Sequence, residues 1–149
     1  MVQPIDADRI IAALAASRLQ GRHLRREAMV LISALDDYQW SGVYRLEGET
    51  LVLDEYVGAH TDHTHIPVGR GVCGTAVAED SNQIVADVRE LDNYLACSLE
   101  TRSEIVVLIR REGQVLGQID IDGHTPGAFG PSDEAFLTQV AEILAARWD

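Results

Sequence analysis

An α+β fold is predicted by two changes in the spacing of apolar residues along the 149-residue chain. Apolar side chains recur at helical intervals before Trp40 and again after Pro131, whereas between these points they alternate along short paired runs. Turns containing glycine or proline separate the runs. This order predicts one domain, residues 1–149, with a central antiparallel sheet, the N- and C-terminal helices packed on one face and pocket loops on the other.

Two helices are predicted before Trp40. Asp6 is the candidate N-cap of the first helix, and Gly21 can end it. Asp36 and Asp37 end the second helix. Each helix has one apolar face, made by Ile10, Ile11 and Leu14 in the first and by Leu24, Ala28, Leu31, Ile32 and Leu35 in the second.

Strand-like alternation begins at Trp40 and returns after a turn at Glu47–Glu49. A second hairpin is predicted around Glu112 and Gly113, and a short helix over Cys73–Glu79 follows a glycine-containing turn. The predicted strands are Trp40–Leu46, Leu51–Leu53, Ile84–Val88, Ile105–Ile109 and Val115–Ile121, and loops cover Gly58–Pro67, Leu91–Arg102 and Gly123–Pro131.

The last helix is predicted to begin with Ser132 as its N-cap. Asp133 and Glu134 then lie in its first turn, where negative charge complements the helix dipole. Its buried face consists of Phe136, Val140, Ile143 and Leu144.

The composition excludes several classes of partner. The net charge is −12 and all 12 basic residues are arginine, so nucleic acid and anionic membranes are disfavoured. No apolar run approaches the ~20 residues that span a bilayer. The first eight residues lack the features of a signal peptide, and two cysteines in such a chain are expected to be reduced thiols, which predicts a cytoplasmic protein.

Three motifs carry candidate chemistry. Cys73 lies among the glycines of the segment 66–76, and Cys97 ends the segment 94–97. Glu104 opens an apolar strand shortly after Cys97, and Asp120 and Asp122 alternate along a later strand, so that both point to one face of the sheet. A thiol, carboxylates and glycine-rich backbone at these spacings indicate cysteine redox chemistry on a small polar substrate.

The order and spacing of these motifs, from about Trp40 to Asp122, resemble the free methionine-(R)-sulfoxide reductases, which are built on a single GAF domain. The resemblance implies reduction of free L-methionine-(R)-S-oxide to L-methionine, with protection against oxidative damage. It also implies the roles of particular residues. Cys97 is the nucleophile, Cys73 a resolving thiol, Glu104 the acid at the sulfoxide oxygen, Asp120 and Asp122 the partners of the substrate ammonium, and Trp40 and Tyr44 an aromatic wall.

The chain departs from the family pattern at His63, which occupies the position of a third family cysteine. In the family this cysteine commonly forms the disulfide with the thiol at the position of Cys97. Its absence leaves Cys73 or an external thiol to resolve the sulfenic acid, or leaves a domain that does not turn over. The alternative function is a non-enzymatic GAF domain that senses a small molecule or redox state.

Each candidate also has a structural interpretation. Cys97 can be a small buried hydrophobe, the glycines around Cys73 can serve a tight turn, and Asp120 and Asp122 can face solvent. The histidines at positions 60, 63 and 65 match no zinc-site spacing, so no metal is predicted. No bound cofactor is expected, an external dithiol such as thioredoxin is the implied reductant, and a homodimer remains open.

Overall fold

In the computed structural model, which describes residues 1–94 and 99–149, four α-helices flank a six-stranded antiparallel sheet with strand order β3-β2-β1-β6-β5-β4. The helices are α1 (Pro4–Ala16), α2 (Gly21–Ile32), α3 (Gly71–Glu79) and α4 (Pro131–Ala146). The strands are β1 (Trp40–Glu47), β2 (Thr50–Val57), β3 (His65–Pro67), β4 (Gln83–Val85), β5 (Ser103–Arg111) and β6 (Gln114–Gly123).

The two faces of the sheet have separate apolar cores. On one face α1, α2 and α4 pack against alternate strand residues such as Val43, Ile105 and Ile121. On the other face α3 packs against intervening residues such as Tyr44 and Val106. The period-two alternation of the strands therefore decides which side chains meet the helices and which meet the opposite layer. The predicted α+β architecture is confirmed, with the terminal helices on one face.

The predicted caps of two helices are wrong. Proline is the first residue of both α1 and α4, a position that it favours because it has no N–H to pair and its φ is already helical. Gln3 and Gly130 are consequently the N-cap residues, and Asp6 and Ser132 lie inside the first turns. Asp133 is buried there, and its carboxylate accepts from the Gly130 N–H at 2.9 Å, the Val2 N–H at 2.8 Å and the Tyr38 hydroxyl at 2.7 Å.

Both predicted hairpins are present, and the predicted strand Ile84–Val88 is shorter than expected. β4 ends at Val85, because Asp87 accepts a hydrogen bond from the Arg89 N–H and caps a 3-10 helix over Val88–Glu90. Gly21, expected to end the first helix, instead begins α2 with a φ of 60°. None of the helices described is long and apolar enough to cross a membrane.

Candidate active site

A row of side chains crosses four strands on the face opposite the terminal helices. In the antiparallel register Glu104 of β5 pairs with Asp122 of β6, and Asp122 pairs with Trp40 of β1. Val85 of β4 completes the row beside Glu104. Directly paired residues of neighbouring strands point to the same face, so the two carboxyl groups and the indole lie side by side.

A second row lies next to the first. Asp120 pairs with Val106 on one side and with Gly42 on the other, and Gly42 pairs with Tyr56 of β2. Because Asp120 and Asp122 alternate along β6, both carboxyl groups lie on this face. They are fully buried, which excludes the interpretation of a solvent-facing strand.

The three carboxyl groups form one buried cluster. Glu104 is 3% exposed, and Asp120 and Asp122 are 0% exposed. Burial away from water, followed by repulsion from Asp120 and Asp122, raises the pKa of Glu104 well above its ordinary value. This shift favours the protonated form of the Glu104 carboxyl group over the carboxylate. The cluster is therefore a local source of a proton.

Cys73 is a buried thiol beside this cluster. It lies in the first turn of α3, and its Sγ donates to Glu104 Oε2 at 3.9 Å. The glycines around it do serve a tight turn: α3 begins at Gly71 with a φ of 64°, and a Cβ at Gly74 would lie 2.6 Å from the Pro67 carbonyl oxygen. The structural interpretation of the glycines is thus correct, and the turn also places the thiol against the carboxyl group.

Trp40 and Tyr44, which the family resemblance implies as an aromatic wall, lie close together on this face. Their ring centroids are 6.5 Å apart, and both side chains are buried. The Tyr44 hydroxyl donates to the His63 carbonyl oxygen at 2.9 Å. This bond holds the main chain at His63 against Tyr44.

Sequence reasoning missed two residues of this face. Gln118 is fully buried and pairs with Tyr44, and its amide N–H donates to the Cys73 carbonyl oxygen at 3.1 Å. Its position two residues before Asp120 could have revealed it by the same alternation. Tyr56 stacks on Trp40, with ring centroids 5.4 Å apart. Only the pairing of β1 with β2 reveals this contact.

The nucleophile assignment to Cys97 lies outside the described residues and stays a prediction. The segment that precedes it is anchored by Asn93, whose side chain accepts from the Gly71 N–H at 3.2 Å and donates to the Gly69 carbonyl oxygen at 3.1 Å. Residue 93 is therefore tied to the turn that leads into Cys73. A cleft with a volume of about 100 Å³ opens beside this contact and is lined by Gly71, Val72, Thr75, Gln83, Val85, Leu91 and Asn93.

Cys73, Glu104 and Asp120 are also close enough to be considered as metal ligands, since one ligand atom of each lies within 4.8 Å of the others. Protein sites that hold zinc through three side chains typically include histidine, and this cluster contains none. We therefore assign the cluster to acid and thiol chemistry.

The chain is similar to known proteins in both sequence and fold. The GAF domain family matches residues 21–149. The free methionine-R-sulfoxide reductase of Escherichia coli is 41% identical over 121 residues, which cover 81% of this chain and 73% of that protein. The type II free methionine-R-sulfoxide reductase of Thermoplasma acidophilum has a TM-score of 0.81 at 35% identity, covering 92% of this chain and 93% of that chain.

A solved structure of the free methionine-R-sulfoxide reductase of Neisseria meningitidis, in complex with its substrate, has a TM-score of 0.87 at 28% identity and covers 99% of this chain and 92% of that chain. Together the fold and the family match define a GAF domain. Within that class the chain belongs to the family of free methionine-(R)-sulfoxide reductases. The resemblance seen in the sequence motifs is confirmed.

Proposed function

We propose that this protein reduces free L-methionine-(R)-S-oxide to L-methionine by cysteine chemistry in the cytoplasm. The observation that carries the proposal is the buried cluster of Glu104, Asp120 and Asp122, which lies between a thiol and an aromatic wall. We include all residues 1–149 in one GAF domain, because Ile10 and Leu14 of α1 share the core of α2 and α4.

Asp120 and Asp122 bind the substrate ammonium in this proposal. Two buried carboxylates on one face attract a cation that replaces the water they lost, and Glu104 keeps the proton of the cluster. Trp40 and Tyr44 contact the methyl and sulfur end of the substrate. A methionine residue inside a peptide has no ammonium group there, so the free amino acid is preferred.

The chemical step transfers one oxygen atom. The Cys97 thiolate attacks the sulfoxide sulfur and forms a sulfur–sulfur bond, while Glu104 protonates the sulfoxide oxygen. The hydroxyl group then moves to the Cys97 sulfur, as the sulfur–sulfur bond and the sulfur–oxygen bond of the substrate both break. Methionine leaves as a thioether, reduced by two electrons, and Cys97 is oxidised by two electrons to a sulfenic acid. Glu104 suits the role of acid because its raised pKa favours the protonated form, which can donate a proton.

Recycling requires a second thiol. Cys73 attacks the Cys97 sulfenic acid, a disulfide forms and water leaves. A dithiol protein of the thioredoxin class then reduces the disulfide by exchange through a mixed disulfide. The two hydrogen bonds of the Asn93 side chain support Cys73 as the resolver. They hold Asn93, which lies shortly before Cys97 in the sequence, against the turn that precedes Cys73.

The test of the function uses the separated R and S epimers of free methionine sulfoxide with thioredoxin, thioredoxin reductase and NADPH. We expect methionine from the R epimer only, with one NADPH consumed for each methionine formed. An N-acetylated R epimer is the matched control, because it lacks the ammonium group, and it should react poorly. No methionine from either epimer with any dithiol would instead support a GAF sensor, the function that the missing third cysteine favours.

Recycling should be the slow part of the cycle, because His63 stands where the family has a cysteine. With substrate and no reductant, two thiols should be lost and peptide mass spectrometry should find a Cys73–Cys97 bridge. The alternative outcome is a sulfenic acid at Cys97 that dimedone traps, because a disulfide needs Cα atoms within about 7 Å. Full thioredoxin-dependent turnover in Cys73→Ser would exclude Cys73 as the resolver.

The matched variant His63→Cys restores the third thiol. We expect it to raise thioredoxin-dependent turnover and leave the first turnover unchanged, because the resolving step follows methionine formation. Measuring turnover at saturating substrate separates this effect from binding. Unchanged turnover in His63→Cys, together with complete Cys73–Cys97 bridging in the wild type, would show that recycling is not limited by the absent thiol.

A further inference from the structure

The Trp40 indole is constrained from several directions. It is 1% exposed, and its ring N–H donates to the Ala59 carbonyl oxygen at 3.0 Å. The Tyr56 ring stacks on it with an interplanar angle of 18°, whereas the Tyr44 ring is tilted by 32°. One hydrogen bond and one stacked ring thus fix both the position and the plane of the indole.

Gly42 makes room for the same ring. A Cβ at this position would lie 2.4 Å from Trp40 Cη2 and 2.5 Å from Cζ3, so the indole fills the space that a side chain would occupy. Gly42 pairs with Tyr56 on one side and with Asp120 on the other. The six-membered part of the indole therefore lies over the sheet in the row that joins Tyr56 to the carboxyl cluster.

We propose that Tyr56 and Gly42 are positioning residues that hold the Trp40 indole in the orientation in which it contacts the sulfur end of a sulfoxide beside Asp120 and Asp122. The inference rests on the proposed function and extends it to two residues with no other role in the site. A ring that is ordered before binding avoids the entropy cost of fixing it when the ligand arrives. The ring also offers a polarizable face to the sulfur atom.

If Tyr56 acts by stacking on Trp40, two substitutions of Tyr56 should have different effects on KM. Tyr56→Phe keeps the ring and removes only the hydroxyl, so its KM and first-turnover rate should stay within about twofold of the wild type. Tyr56→Leu removes the stacked ring, and KM for the R epimer should rise about three- to tenfold, the range expected for loss of an aromatic pair. The first-turnover rate at saturating substrate should change much less, because the ring contributes to binding of both the substrate and the transition state.

Gly42→Ala provides a second, independent variant. The added methyl group must displace the indole from its position over Gly42, so KM should rise by at least as much as in Tyr56→Leu. A spectroscopic measurement follows the indole itself: in a Trp148→Phe background only Trp40 emits, because the chain has two tryptophans. Iodide should quench the Trp40 emission more strongly in Tyr56→Leu than in Tyr56→Phe.

The outcomes separate this inference from the proposed function. If the wild type forms methionine and Tyr56→Leu has the wild-type KM and quenching, the positioning role is wrong. An equal rise of KM in Tyr56→Phe and Tyr56→Leu also overturns it, because the hydroxyl and not the stacked ring would then matter. If the wild type forms no methionine, the proposed function is wrong but the positioning role is not, because the quenching comparison still reports whether Tyr56 orders the indole.

Discussion

Cys97→Ser should abolish methionine formation from the R epimer in a single turnover, a loss of more than about a thousandfold. The reaction needs a thiolate, because only sulfur can attack the sulfoxide and then hold its oxygen as a sulfenic acid. A serine hydroxyl is scarcely ionised at neutral pH and has no corresponding oxidation. The measurement mixes reduced protein in excess over substrate, omits other reductants and quantifies methionine after rapid quenching.

Cys73→Ser is the matched control for this experiment. It removes the described thiol beside Glu104 and leaves Cys97 in place. Its first turnover should stay within about threefold of the wild type, because a resolving thiol acts only after the sulfenic acid has formed. If Cys73→Ser lost the first turnover and Cys97→Ser retained it, the two thiols would have to exchange roles.

The architecture of this domain could be predicted from local pattern, whereas parts of the site depend on register. The alternation of Asp120 and Asp122 with Ile119 and Ile121 placed both acids on one face, as the structure has them. The contact of Tyr56 with Trp40 depends on which residue of β2 faces Gly42, and a bulge between Val43 and Tyr44 shifts that pairing by one. No local pattern fixes such an irregularity.

The errors at the helix starts have a different physical cause. Asp6 and Ser132 are residue types that favour N-caps, but Pro4 and Pro131 each begin a helix upstream of them. Asp133 accepts two buried hydrogen bonds that join α4 to the Val2 N–H and to the Tyr38 hydroxyl. These partners are distant in sequence, so capping preferences alone could not reveal that the aspartate belongs to the core.

Glu104→Gln should lower the first-turnover rate about 10²- to 10⁴-fold, the usual contribution of a general acid. Glutamine keeps the shape of the side chain but cannot give up a proton to the sulfoxide oxygen as that bond breaks.

Asp122→Asn is the control in the same cluster. It should mainly raise KM, by about ten- to a hundredfold, because it removes a charged partner of the substrate ammonium. Wild-type kinetics in both variants would show that Glu104 and Asp122 have only a structural role.

The pH dependence distinguishes an acid from a binding residue. The raised pKa of Glu104 means that its protonated form persists above the ordinary range, so the first-turnover rate of the wild type should fall as the pH rises through that pKa. The unfolded chain releases this proton near the ordinary glutamate pKa of about 4.3. Above that pH the folded state binds more protons than the unfolded state, and the free energy of unfolding therefore falls as the pH rises.

Glu104→Gln removes this dependence, so its Tm should fall less than that of the wild type between about pH 5 and pH 8. Calorimetry of both proteins across this range measures the difference without any substrate. Parallel Tm curves would show that Glu104 does not hold the proton of the cluster. A flatter Tm curve for Glu104→Gln, together with a lower first-turnover rate, would instead show that Glu104 both holds the proton of the cluster and donates it to the substrate. One substitution would then have removed both the bound proton and the acid of the chemical step.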